Sequence, residues 1–126
     1  MKQTSRDPEA LLPLTPAVFH ILLALADQER HGYGIMQEIT QRTDGKVRMG
    51  PGTLYGSIKR MLADGLLEES GERPDTTLDH ERRRYYRLTG FGQRVVRLEA
   101  ARLAQLVTVA QSKKLLSGPE IAGGFS

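Results

Sequence analysis

A mainly α-helical fold with one small β-hairpin and a long closing helix is predicted by three features of this sequence. Apolar residues recur at helical spacing in three short blocks between residues 15 and 65. The run RRRYYRL has the basic and aromatic content of an extended strand. From Thr89 an apolar stripe advances in alternating steps of four and three towards Leu116, further than a small core can cover.

Residues 1–13, MKQTSRDPEALLP, lack sustained periodicity and end in proline, which predicts a mobile N-terminal arm. Thr15 followed by Pro16 has the pattern of an N-cap with proline at the first helical position. Val18, Ile21, Leu22 and Leu25 form the apolar face of that first helix, which should close near Gln28. A second helix is expected from Gly34 to Thr43. Ile35, Met36 and Ile39 would point inward, Gln37, Glu38, Gln41 and Arg42 outward, and Asp44-Gly45 would end it. The third begins near Pro51 and stops at Gly65, a residue suited to a helix C-terminus.

Leu66–Ser70 then reads as a short strand and Gly71–Asp79 as a turn. Arg83–Leu88 is the return strand, with Tyr86 and Leu88 on one face and Tyr85 and Arg87 on the other. Thr89 can cap the last helix, about 40 Å long at 1.5 Å per residue. The tail SGPEIAGGFS is expected to be disordered. Three short helices with tight turns, followed by a hairpin, make a winged helix-turn-helix. The expected organisation is therefore an arm at 1–13, a winged helix-turn-helix at 14–88, a dimerisation helix at 89–116 and a tail at 117–126.

Composition narrows the chemistry. The chain has 126 residues and no cysteine, so thiolate metal sites, disulfides and thiol nucleophiles are excluded. No signal-peptide pattern and no membrane-length apolar run is visible, and a cytoplasmic location without membrane association is expected. Net charge is only +3, but its placement is uneven. Residues 42–60 carry five basic side chains against Asp44, and residues 82–102 carry seven arginines against Glu99. Between them, residues 62–81 hold seven acids and the single base Arg73. Solvated helix faces and a solvated turn would give the same count, but so would a polyanion-binding surface.

The third helix separates those readings. Stepping 100° per residue places Leu54, Ile58, Met61 and Leu62 on one buried stripe, with Tyr55 and Ser57 flanking it. Opposite lie Gly56, Lys59 and Arg60, with Gly52 and Thr53 slightly aside. A glycine inside a helix costs about 1 kcal/mol relative to alanine. On an outward face beside two cations, it instead allows close approach to a phosphate-lined groove.

The stretches HGYGIMQEI, GPGTLYGSIKRMLADGLLEE and RRRYYRLTGFG together resemble the PadR family of bacterial winged-helix transcription regulators, over about residues 14–95. The resemblance implies a third helix that enters the major groove and a wing that contacts the adjacent backbone or minor groove. It also implies a C-terminal helix that builds a homodimer, as in the shorter members. Thr53 and Tyr55 match the family's DNA contacts, and Tyr86 and Leu88 its wing and core packing. Gly34 stands where the family often has an acid, so the second helix is expected to start late. Gly56 stands where the family has proline or another small residue. The absence of tryptophan removes the indole on which some members stack flat aromatic ligands.

The expected DNA contacts are thus Thr53, Tyr55, Gly56, Lys59, Arg60, Arg82 and Arg83, while Arg84 and Arg87 have Glu68 and Glu69 within reach across the hairpin. Val96, Ala100, Leu103, Val107 and Ala110 are expected to form the dimer seam, widened by Leu98, Leu106 and Val109. A fold-back of this helix onto its own domain is the rival arrangement. His20 reads as a packing histidine and His31 as a structural hydrogen-bond partner. His80, beside Asp79 and Glu81, lies in a loop whose neighbours converge poorly on a metal, so no metal or cofactor is expected. No nucleophile–base pattern is present, and an enzyme is not expected. The function expected is a homodimeric repressor on a pseudo-palindromic operator, relieved by a small hydrophobic effector between the last helix and the core. A protein-interaction module and a non-specific nucleoid-type DNA binder are the alternatives.

Overall fold

A computed structural model describes residues 6–74 and 82–116. The expected hairpin tip with His80, the tail at 117–126 and the first five residues lie outside the described residues. The chain runs through a 3-10 turn at Pro8–Leu11, α1 (Pro16–Ala24), β1 (Arg30–His31), α2 (Gly32–Arg42), α3 (Pro51–Ala63), β2 (Leu67–Pro74), β3 (Arg82–Leu88) and α4 (Gly90–Ser112). The core gathers Ile21 and Leu22 of α1, Ile35 and Ile39 of α2, Leu54, Ile58 and Met61 of α3, and Val95 of α4.

Caps explain where the helices start and stop. Thr15 Oγ1 accepts the Val18 N–H at 3.2 Å, which opens α1 as expected. The helix ends at Ala24, four residues before Gln28, because Arg30 donates its Nε–H to the Ala24 carbonyl at 2.7 Å. The freed segment then adds a strand: Arg30 pairs with Tyr86 and His31 with Tyr85, so the hairpin becomes a three-stranded antiparallel sheet of order β1-β3-β2. α2 starts at Gly32, two residues earlier than Gly34, because His31 Nδ1 accepts the Gly34 N–H at 2.9 Å. Gly65, at φ +76°, terminates α3 in the left-handed conformation that glycine favours.

β2 begins at Leu67 and runs to Pro74, well into the stretch expected as turn. The register passes from Glu69↔Tyr86 to Gly71↔Tyr85, leaving Ser70 as a bulge with Gly71 at φ +124°. Tyr86 and Leu88 are buried while Arg87 faces out, the alternation expected of the return strand.

The N-terminal segment departs from expectation. Instead of a mobile arm, residues 8–14 pack along α4, with Leu11, Leu12 and Leu14 against the core. Periodicity does not disclose this packing, because three leucines around Pro13 carry none. They are nonetheless apolar, and burial needs no period. α4 also departs in part. Val96, expected on a dimer seam, is only 7% exposed and belongs to the chain's own core. The helix leaves the domain after Glu99, and beyond it Leu106, Val109, Leu115 and Leu116 are exposed.

Candidate nucleic-acid interface

α3 presents one open face. Pro51, Gly52, Thr53, Tyr55, Lys59 and Arg60 are exposed, whereas Leu54, Ser57, Ile58 and Met61 are buried. Its N-terminus begins at Gly50 without a side-chain cap, so its first N–H groups point outward unanswered by a side chain. A Cβ added at Gly52 would meet nothing within 4 Å, and one at Gly56 only Arg60 Nη1 at 3.9 Å. Neither glycine is therefore required by packing.

Tyr55 has two roles in this geometry. It is 45% exposed, yet its hydroxyl end occupies the space that a side chain at Gly32 would fill. It thereby locks α3 against the start of α2 while keeping one edge open. The wing reaches the same end of α2: the Arg83 guanidinium lies 5.8 Å from the ring of Tyr33, itself 40% exposed. Arg82 instead donates to the Glu72 carbonyl at 2.7 Å, with its Nε 3.9 Å from the Glu72 carboxylate. Arg84 and Arg87 lie across the hairpin from Glu69 and Glu68 at 3.7 and 2.7 Å. The structure thus brings Thr53, Tyr55, Gly56, Lys59 and Arg60 together, sets Arg83 beside the start of α2, and turns Arg82 towards its own hairpin.

Two features escaped the sequence reading. Tyr33, Gln37, Gln41 and Arg48 border an open groove of about 350 Å³ between α2 and the loop before α3. The outward glutamines were legible, but their convergence with Arg48 was not. Arg73, the lone base of the acidic block, ties the outer part of the hairpin back to the segment before β1. It donates to Glu29 at 2.6 Å and lies 4.0 Å above the Tyr85 ring, which meets His31 edge-on. The hydrogen bond from Arg73, with a smaller contribution from Ser70, holds the Glu29 carboxyl down to about 2.

The histidines have structural surroundings. His31 caps α2, and His20 Nδ1 accepts from Arg42 at 3.1 Å. Burial and the Arg42 charge push the His20 pKa down, which favours the neutral ring. Among the described residues no cluster of histidine and carboxylate is arranged to hold a metal, and no helix is long and apolar enough to cross a membrane.

A three-helix core with an exposed basic third helix and a hairpin at its flank defines a winged-helix regulator module. The model of the Transcriptional regulator PadR-like family matches residues 21–98, and the chain belongs to that family of transcriptional regulators. It is similar to the transcriptional regulator Rv3488 of Mycobacterium tuberculosis, 32% identical over 105 residues, which cover 83% of this chain and 87% of the relative. A PadR family regulator from Clostridium difficile has the same fold (TM-score 0.63, 21% identity, 78% of this chain and 97% of the other). So has Bacillus subtilis PadR, solved in complex with operator DNA (TM-score 0.57, 19% identity), where the match covers 68% of this chain and 46% of that one.

Proposed function

We propose that this regulator acts as a cytoplasmic homodimeric repressor that reads a pseudo-palindromic operator. The observation that carries the reading is the outward face of α3, where Lys59 and Arg60 stand beside two positions with no side chain and no packing need for that absence. Such a face fits the major groove, about 12 Å wide against a helix about 10–12 Å across. Thr53, Tyr55 and Gly56 would line the approach, and the uncapped start of α3 would meet phosphate. Arg83 would follow the adjacent backbone. Arg82 would join it by exchanging its Glu72 contacts for phosphate.

The dimer reading rests on the exposed apolar residues of α4 past Glu99. Leu103, Val107 and Ala110 form its half-covered stripe, with Ala100 exposed at its start and Leu106 and Val109 beside them. A second copy would cover this stripe and set two recognition helices about 34–36 Å apart, one DNA turn. A groove of about 430 Å³ between α4 and the N-terminal segment, lined by Leu12, Leu98 and Ala101 with Glu9 and Arg102 at its edge, supports a site for a small hydrophobic effector. To relieve repression it must bind one spacing of the helices better than the other.

Fluorescence anisotropy against the upstream region of the protein's own gene and a shuffled duplex, with sedimentation to count chains, tests this reading. A preference of about 10³-fold or more for the upstream duplex by a dimer is expected. Equal weak binding to both would favour a non-specific nucleoid-type binder, and no binding a protein-interaction module.

A further inference from the structure

We propose that residues 6–14 are a strap that fixes the angle between α4 and the recognition helix, and that Arg6 and Glu99 are its positioning residues. The inference deepens the dimeric reading above and rests on it.

The strap touches both elements at defined atoms. At one end, Arg6 Nη1 donates to the carbonyl of Asp64, the C-cap of α3, while its guanidinium lies 4.5 Å above the ring of Phe91 in the first turn of α4. One side chain therefore joins the end of α3 to the start of α4. At the other end, the Leu14 N–H donates to Glu99 Oε2 at 3.0 Å. Arg102 closes on the same carboxylate with bonds of 2.6 and 3.0 Å. Thr15 follows at once as the cap of α1, so this bond pins the middle of α4 to the start of the first core helix.

Glu99 is 2% exposed, which for a carboxylate is costly unless it is fully answered. It is also the last buried residue of α4 before the helix leaves the domain. A hydrophobic residue would bury as well there, but would not select one depth and one rotation. A carboxylate held by a backbone N–H and a guanidinium does.

The lever is long. From Ala100 to Ser112 α4 extends about 20 Å, so a tilt of about 10° at Glu99 moves its far end by roughly 3.5 Å. Across a two-fold dimer that becomes roughly 7 Å between recognition helices, about two base-pair steps at 3.4 Å each. Without the strap the last anchor is Val96, and the pivot moves back by about one turn.

The absence of cysteine makes the test direct. Lys59→Cys carries the chain's single thiol, and a nitroxide there reports the distance between the two recognition helices of the full-length dimer by double electron–electron resonance. The unmodified strap should give one narrow distribution near 35 Å. Arg6→Ala, on an exposed side chain, and Glu99→Gln should each broaden it, and together by about 7 Å as worked above, with helicity retained by circular dichroism. Unchanged width in folded Arg6→Ala and Glu99→Gln, even with lowered melting temperatures, would show that the strap only stabilises and would overturn the proposal. If Glu99→Gln does not fold, Arg6→Ala alone decides. No dipolar signal in the unmodified strap would overturn the dimeric reading itself, and with it the strap's role in spacing.

Discussion

Replacing Gly56 by leucine should separate folding from DNA binding. An ideal Cβ at this position finds only Arg60 Nη1, at 3.9 Å, so the helix can accept a side chain. Leucine is favoured over glycine in a helix interior by about 0.8 kcal/mol. For a chain of this size that should raise the melting temperature by about 3 °C. Binding should move the other way. A helix about 10–12 Å across leaves little slack in a groove about 12 Å wide. A leucine on the contact face would therefore lift Lys59 and Arg60 from their targets, and it would also displace the Arg60 guanidinium that lies over Gly56. Loss of one good base contact costs about 1–3 kcal/mol, which is roughly 5- to 150-fold in affinity. The assay pairs a thermal melt with anisotropy titration against a duplex selected by the wild-type protein. Binding within twofold of wild type would refute the reasoning, because the open face would then have no groove to fit.

Gly92 should behave in the opposite way: its Cβ would stand 2.1 Å from the Leu66 carbonyl oxygen, so Gly92→Ala should destabilise by about 1–3 kcal/mol or more in urea titration. Gly34→Ala, with nothing nearer than 3.4 Å, should be neutral or stabilising. Lys59→Ala and Arg60→Ala should each flatten the slope of log affinity against log salt by about 1, whereas Arg87→Ala, whose charge is engaged by Glu68, should leave the slope unchanged. Acid should unfold the protein partly through Glu99 and Glu29. The Arg102 hydrogen bonds, with the Leu14 N–H adding to them, hold Glu99 below the ordinary carboxylate value, and Glu29 is held near 2. Both folded values lie below the unfolded ones, so the stability they confer is complete above about pH 4.5 and is lost as pH falls. Urea titrations at pH 7 and pH 3 should therefore show a smaller loss for Glu99→Gln than for wild type.

Much of the fold was legible because its helices are amphipathic and locally capped. Thr15-Pro16, Gly65 and Thr89 act where short-range chemistry placed them. The outward face of α3 was legible too, since one buried stripe fixes its opposite. What failed depended on side-chain and strand contacts that no helical or strand period encodes. The end of α1 is set by Arg30, whose side chain turns back onto the Ala24 carbonyl, and the third strand exists only because Tyr85 and Tyr86 lie some fifty-five positions beyond its partners. The turn of Arg82 onto Glu72 depends on a strand register set by the Ser70 bulge, which no pattern of charge discloses.

The misplacement of Val96 has the same origin and a sharper lesson. Along α4 the apolar stripe is continuous from Val95 to Val109, so periodicity alone cannot say where one partner ends and another begins. The break is marked by a charge. Glu99 sits on the buried side, and a buried carboxylate needs donors from its own chain at hand, which Leu14 and Arg102 supply. Residues before it, Val95 and Val96, close the chain's own core; those after it are half-buried or exposed. An acidic residue interrupting the inward face of a long amphipathic helix, with arginine three positions on, thus reads as a boundary between intramolecular packing and a surface free for a second copy. Leu12 of the N-terminal segment belongs to the same boundary, since it lines a groove with Leu98 and Ala101, the residues of α4 on either side of the turn that Glu99 holds in place.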